Sequence, residues 1–133
     1  MLVIASSHEI ISPRDAASGM ATGKRLHKPF VITKELDKAS PLLYSALTKN
    51  ETFPEVELQF YRATPGATGM EAVFYTVKLT NASISTIRFV QPNTQQTETR
   101  QLAEYEEISF TYQRIEWTIN QGNVTAVDDW LAR

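Results

Sequence analysis

Histidine is the side chain most used as a general base or metal ligand near neutral pH, and this chain has two, His8 and His27. Cysteine is absent, which excludes disulfides, thiol nucleophiles and thiolate metal sites and fits a reducing compartment. A transition-metal site would need both histidines and a carboxylate, so they are read instead as partly exposed residues on strands. His8-Glu9 does not extend to the two-histidine helical pattern of zinc peptidases, because position 12 is Ser. The run Gly19-Met-Ala-Thr-Gly23-Lys24-Arg25 has the outline of a phosphate loop, but its spacing is one residue short. Arg25 also stands where a Mg²⁺-binding hydroxyl is required, and a strand follows where that loop needs a helix. The serines lie in no Gly-x-Ser-x-Gly elbow or Ser-x-x-Lys motif. Glu104, Glu106 and Glu107 could supply a carboxylate pair, yet their place at the head of a strand reads as a solvent-facing edge. Lys24, Arg25 and Lys28 form a basic cluster without the interleaved aromatics that stack on bases. No catalytic residue, cofactor-binding residue or metal ligand is assigned, no cofactor is expected, and the chain is not read as an enzyme.

The elements that would have to position any such chemistry are mostly strands. The chain has 133 residues, of which 42% are hydrophobic and 21% charged, enough for one compact domain. A net charge of −2 and a pI near 5.7 give no electrostatic reason to expect nucleic acid or an anionic membrane as partner. The opening Met-Leu-Val-Ile-Ala lacks a basic flank and is too short for a secretory signal. No stretch approaches the roughly 20 apolar residues of a membrane span. Without a signal, the sequons at Asn50, Asn81 and Asn123 are taken as chance.

Leu2 to Ile11 reads as a strand, and Ser12 to Gly23 as a connection long enough to need an explanation. From Lys24 the pattern is strand, turn, helix: Leu26, Phe30 and Ile32 share one parity, and Arg25, His27 and Thr33 the other. Ser40 before Pro41 suits a helix start, with Asp37 as rival cap. Leu42, Leu43, Ala46 and Leu47 then give one apolar face to a single helix over Pro41 to Lys49. Strands are expected at about 25–35 and 54–63. Glu71 to Leu79 returns as the second arm of a hairpin after a turn at Ala63 to Gly69. Asn81 to Val90 is strand-like, but Ile84 differs in parity from Ile87 and Phe89. Ile108, Phe110 and Tyr112 likewise differ from Ile115, Trp117 and Ile119, with the break at Gln113 and Arg114. Such switches let a sheet bend, which favours a small antiparallel β-barrel with one short helix on its side. The expected core is Phe30, Leu43, Leu47, Leu58, Phe60, Ile108, Phe110 and Trp117. Gln91 to Leu102 reads as a loop, and the tail from Gln121 places Trp130 against the barrel.

In their order and spacing, RLHKPFVITKELDKASPLLYSAL, VELQFYR, FYTVKLTNASIS, EEISFTYQRIEWT and the terminal DDW resemble the haemolysin-coregulated proteins (Hcp), the tube subunits of the bacterial type VI secretion system. The most specific parts are Ile108 to Trp117 and Phe30 to Leu43, where the family shows a strand and then a Lys-x-x-Asp-x-x-(Ser/Thr)-Pro-like passage into its single helix, formed here by Lys34, Asp37, Ser40 and Pro41. The resemblance implies one Hcp-like domain over 1–133 that lacks the family's first strand. It also implies homo-hexameric rings stacked into a tube, capped by a spike protein, driven by a contractile sheath and carrying or sheltering effector proteins. Assembly would be cytoplasmic, followed by secretion without a signal peptide. The resemblance places Ser6 and Ser7 on the lumen, and Arg14, Asp15, Met20 and Thr22 on a loop reaching the next ring. Phage-type tail tube proteins share this fold and stacking, and a monomeric small-ligand-binding β-barrel is the alternative from another class.

Overall fold

A computed structural model describes residues 1–63, 71–98 and 103–129. The fold is mainly β and antiparallel, and among the described residues it has one helix. The chain divides into two compact units, one of Met1–Glu51 with Ile84–Thr111, the other of Thr52–Ser83 with the residues from Tyr112 on.

In the first unit, β1 (Ala5–Ser7) pairs with β4 (Phe30–Glu35), which pairs with β7 (Tyr105–Thr111). Strict alternation along β4 and β7 turns Phe30, Ile32 and Lys34 inward, opposite Phe110, Ile108 and Glu106. The expected first strand comes in two pieces, β1 and β2 (Ile10–Ile11). The expected strand over 25–35 is also split, into β3 (Leu26–His27) and β4, with β2 and β3 forming a separate two-stranded ladder. Pro29 has no N–H to continue a ladder, and the Lys28 N–H goes to the Glu9 carbonyl at 3.1 Å. This break reverses the expected faces, for His27 is buried and Leu26 is half exposed.

Helix α1 (Ser40–Thr48) lies within a residue of its expected bounds. Its start differs from expectation, since Ser40 is inside the helix and its hydroxyl makes no cap bond. Asp37 Oδ1 instead accepts the Ala39 N–H at 2.9 Å. The end is a Schellman arrangement: Asn50 adopts φ 53°, its N–H reaches Leu47 O at 3.2 Å, and the Glu51 N–H reaches Ala46 O at 2.9 Å.

In the second unit, β5 (Thr52–Ala63) pairs with β6 (Glu71–Val90), forming the expected hairpin, and β6 pairs with β8 (Arg114–Ile119). Pro54 is tolerated because β5 is paired on one side only. The tail adds a strand that the sequence reading missed, β9 (Val124–Asp129), joined to β8 by a turn in which Gly122 and Asn123 both have positive φ. The turn expected at Ala63 to Gly69, the end of the Gln91 to Leu102 loop and Trp130 fall outside the described residues, apart from Ala63 at the end of β5.

Both expected face switches are present, one of them displaced. β6 is a single strand whose inward side changes from Val77 and Leu79 to Ala82 and Ile84. The change falls at Asn81, with φ 51°, and not between Ile84 and Ile87; Phe89 is exposed. The second switch lies where expected, because pairing lapses at Tyr112 and Gln113 while Tyr112 and Ile115 are both buried. The two irregularities are neighbours, tied by Asn81 Nδ2 donating to Gln113 Oε1 at 2.9 Å and the Gln113 N–H to Thr80 O at 3.1 Å. Of the expected core, Phe30, Leu43, Leu58, Ile108 and Phe110 are buried; Leu47, Phe60 and Trp117 are half-buried.

Candidate functional site

The connection from Ser12 to Gly23 is long enough that, by length alone, it would depend on neighbouring chains for order. The structure corrects that premise, because the segment orders itself. Arg14 bridges to Ala21, the Asp15 N–H donates to Met20 O at 2.8 Å, and the Thr22 N–H donates to Pro13 O at 3.0 Å. Asp15 closes the tip: its Oδ2 accepts the Ser18 N–H at 3.0 Å and the Ser18 hydroxyl at 2.7 Å. These bonds hold the Asp15 carboxyl below its ordinary pKa, the Ser18 hydroxyl contributing most. The Gly19 N–H returns to Asp15 O at 2.8 Å. Gly19 has φ 74°, and a Cβ there would meet nothing within 4 Å, so conformation, not space, calls for glycine. The outcome is a short preformed arm continuing from β2 and β3, with Met20 at its tip 69% exposed. Arg14, Asp15, Met20 and Thr22 therefore share one ordered arm. Ser6 and Ser7 lie apart from it on β1, both exposed, opposite Ile32 and Val31 of β4.

The histidines and glutamates also differ from the sequence reading. His27 is buried, and His8 is half-buried and stacked on Phe30 at 5.0 Å between ring centroids, 6.5 Å from the His27 ring. Burial lowers the His8 pKa, and the His27 charge adds to this against a Lys28 backbone bond that raises it. Among the described residues, no group of three or more His, Cys, Asp or Glu side chains is placed to hold a metal.

Glu106, read as solvent-facing, is buried opposite Lys34. Lys34 Nζ donates to Glu106 Oε1 at 2.6 Å, to Ser40 Oγ at 3.0 Å and to Glu35 O at 2.9 Å, and lies 3.0 Å from Asp37 Oδ1. Ser40 Oγ in turn donates to Glu106 Oε1 at 2.8 Å and accepts the Asp37 N–H at 3.1 Å. Desolvation pulls the Lys34 pKa down, but the hydrogen bonds and charges of Glu106 and Asp37 outweigh it and leave the pKa raised. Asp37 is lowered, first by its bond to Lys34. Glu107, next to Glu106 in the chain, stays at the surface with Arg88 at 3.0 Å. The sequence places Ser40 and Asp37 as alternative helix caps and Lys34 only within the family resemblance, with no contact among the three. Their spacing of three around the β4–α1 corner is the signal that could have brought them together.

Residues 1–119 match the family model described as "Type VI secretion system effector, Hcp". The "Major exported protein" of Pseudomonas aeruginosa is 42% identical over 130 residues, covering 98% of this chain and 74% of that protein. A crystal structure of an Hcp protein superposes with a TM-score of 0.87 at 36% identity, covering 96% of this chain and 76% of that one. The Hcp1 protein from the E. coli EAEC 042 pathovar gives a TM-score of 0.81 at 31% identity, covering 96% of this chain and 79% of that one. No helix among the described residues is long and apolar enough to cross a membrane. In sequence and in its antiparallel, one-helix fold, the chain belongs to the Hcp family of the type VI secretion system.

Proposed function

We propose that this chain is a structural subunit of the type VI secretion inner tube. Six copies close into a ring, rings stack into a tube, and the tube is exported with effector proteins carried or sheltered in its lumen. The observation that carries the reading is the likeness, over almost the whole chain, to a protein named for being exported. The chain forms a single Hcp-like domain in this reading, and its partners beyond itself are the spike, the contractile sheath and the effectors. Its work is assembly, so no enzymatic chemistry is assigned to it.

The preformed arm supports a role in stacking. An arm already ordered in the single chain loses little further entropy when it docks, and it offers Met20 as an apolar anchor. Ring closure and stacking use different surfaces, since one is a closed head-to-tail contact and the other an open one. Arg14, Asp15, Met20 and Thr22 serve stacking, and Ser6 and Ser7 line the lumen where effectors pass. Electron microscopy of Met20→Glu, and of a chain shortened between Ala16 and Ala21, tests this: rings persist while tubes shorten or disappear. Rings that fall apart into single chains place the arm in ring closure instead, and unchanged tubes remove it from assembly.

A further inference from the structure

Lys34 and Glu106 are both 0% exposed, an ion pair enclosed between β4, β7 and the start of α1. Taking two charges out of water costs more than such a pair commonly returns, unless every remaining lone pair is satisfied. Here one is not, because among the described residues Glu106 Oε2 is buried without a hydrogen-bond partner. Maximal stability would favour apolar side chains of similar volume at 34 and 106. The cluster supplies direction instead. Ser40, in the first turn of α1, bonds to both charged side chains, and the Asp37 backbone and carboxylate fasten the corner leading into the helix.

The helix needs such fastening. Of its nine residues, only Leu43 and Ala46 are buried apolar anchors, while Leu42 is 71% exposed. Contact between apolar surfaces is non-directional, and one buried leucine and one buried alanine, with Leu47 half-buried beside them, leave a helix several comparable seats. Hydrogen bonds between three fixed side chains leave one.

We propose that the Lys34–Ser40–Glu106 cluster is a positional lock: it gives up folding stability to hold α1 in a single seat, and ring formation depends on that seat. The second half rests on the reading of the chain as a ring subunit. Lys34→Met, Glu106→Leu and the double variant of the full chain are compared with the unaltered protein for thermal midpoint, amide hydrogen exchange in α1, and ring content by native mass spectrometry. Lys34→Met leaves the buried Glu106 carboxylate alone and lowers the midpoint by about 10 °C or more, whereas Glu106→Leu leaves Lys34 only the partly exposed Asp37 carboxylate at 3.0 Å and lowers it by less. The double variant recovers to within a few degrees of the unaltered protein or above it, yet exchanges α1 amides about tenfold faster and forms few rings. A double variant as unstable as Lys34→Met overturns the proposal, because the pair would then be a net source of stability. So does a double variant with α1 fully protected and rings intact. Should the unaltered protein form no rings, the ring-subunit reading fails, and midpoint and exchange still decide the lock.

Discussion

Ile115 and Ile119 are the same side chain on the same face of β8, separated by one turn of the pleat on either side of Trp117. Ile115 is 0% exposed and Ile119 is 43% exposed. Replacing each in turn by Ala therefore measures enclosure with chemistry and strand held constant. At Ile115 the lost transfer free energy and the cavity left behind together cost about 2–5 kcal/mol. At Ile119 part of the side chain already meets water and no enclosed cavity forms, so the loss is about 1 kcal/mol. With an unfolding entropy near 2.1 cal/mol/K per residue, a chain of 133 residues carries about 0.28 kcal/mol/K, which converts these losses to roughly 7–18 °C and roughly 4 °C in Tm. Thermal denaturation followed by circular dichroism, at one fixed protein concentration so that assembly does not differ between samples, reads both shifts. Ile115 is enclosed together with Tyr112, three residues earlier, only because the chain changes faces at Gln113. Equal shifts for the two variants would refute that switch and the core built on it.

Three further outcomes follow from particular residues. Asn50 holds the left-handed position that ends α1; Asn50→Gly leaves the Tm unchanged or slightly raised, whereas Asn50→Leu costs about 1–2 kcal/mol, and equal values for the two would dismiss the Schellman cap. His8 has a folded pKa below its ordinary 6.5, so the unfolded chain binds more protons, and stability present above pH 6.5 is lost as the pH falls toward the folded value. His8→Phe keeps the ring against Phe30 and flattens this acid limb of the Tm profile between pH 7.5 and 5; superimposable profiles would contradict it. Gly19→Val forces a β-branched residue to φ 74° and loosens the arm tip, seen as faster amide exchange at Ser18 to Met20, while unchanged exchange would show that the turn does not depend on glycine.

Much of the fold was legible because binary patterning is local. The alternation at Phe30, Ile32, Ile108 and Phe110 and Pro41 in the first turn of α1 carry their structure within a few residues. Two of the misreadings share one cause, that a single backbone irregularity reassigns every side chain after it. Pro29 ends one ladder, so His27 went inward where Leu26 was expected. Asn81 takes up a left-handed conformation inside a strand, which nothing in its neighbours' polarity announces. β9 was missed because its burial pattern is almost wholly exposed, although the Gly122-Asn123 pair is a hairpin signal. Glu106 shows a further limit. A carboxylate reads as a surface residue until its cation is known, and Lys34 is 72 residues away in the chain. The arm's residues were found from length and composition, but its internal hydrogen bonds were not, since Asp15 and Ser18 look like any polar loop pair.

Native mass spectrometry of the purified chain tests the central claim most directly. A chain of 15.0 kDa acting as a tube subunit is found chiefly as an assembly of six copies, with larger species at multiples of that ring as the concentration is raised. A protein that stays a single chain at every concentration contradicts the account.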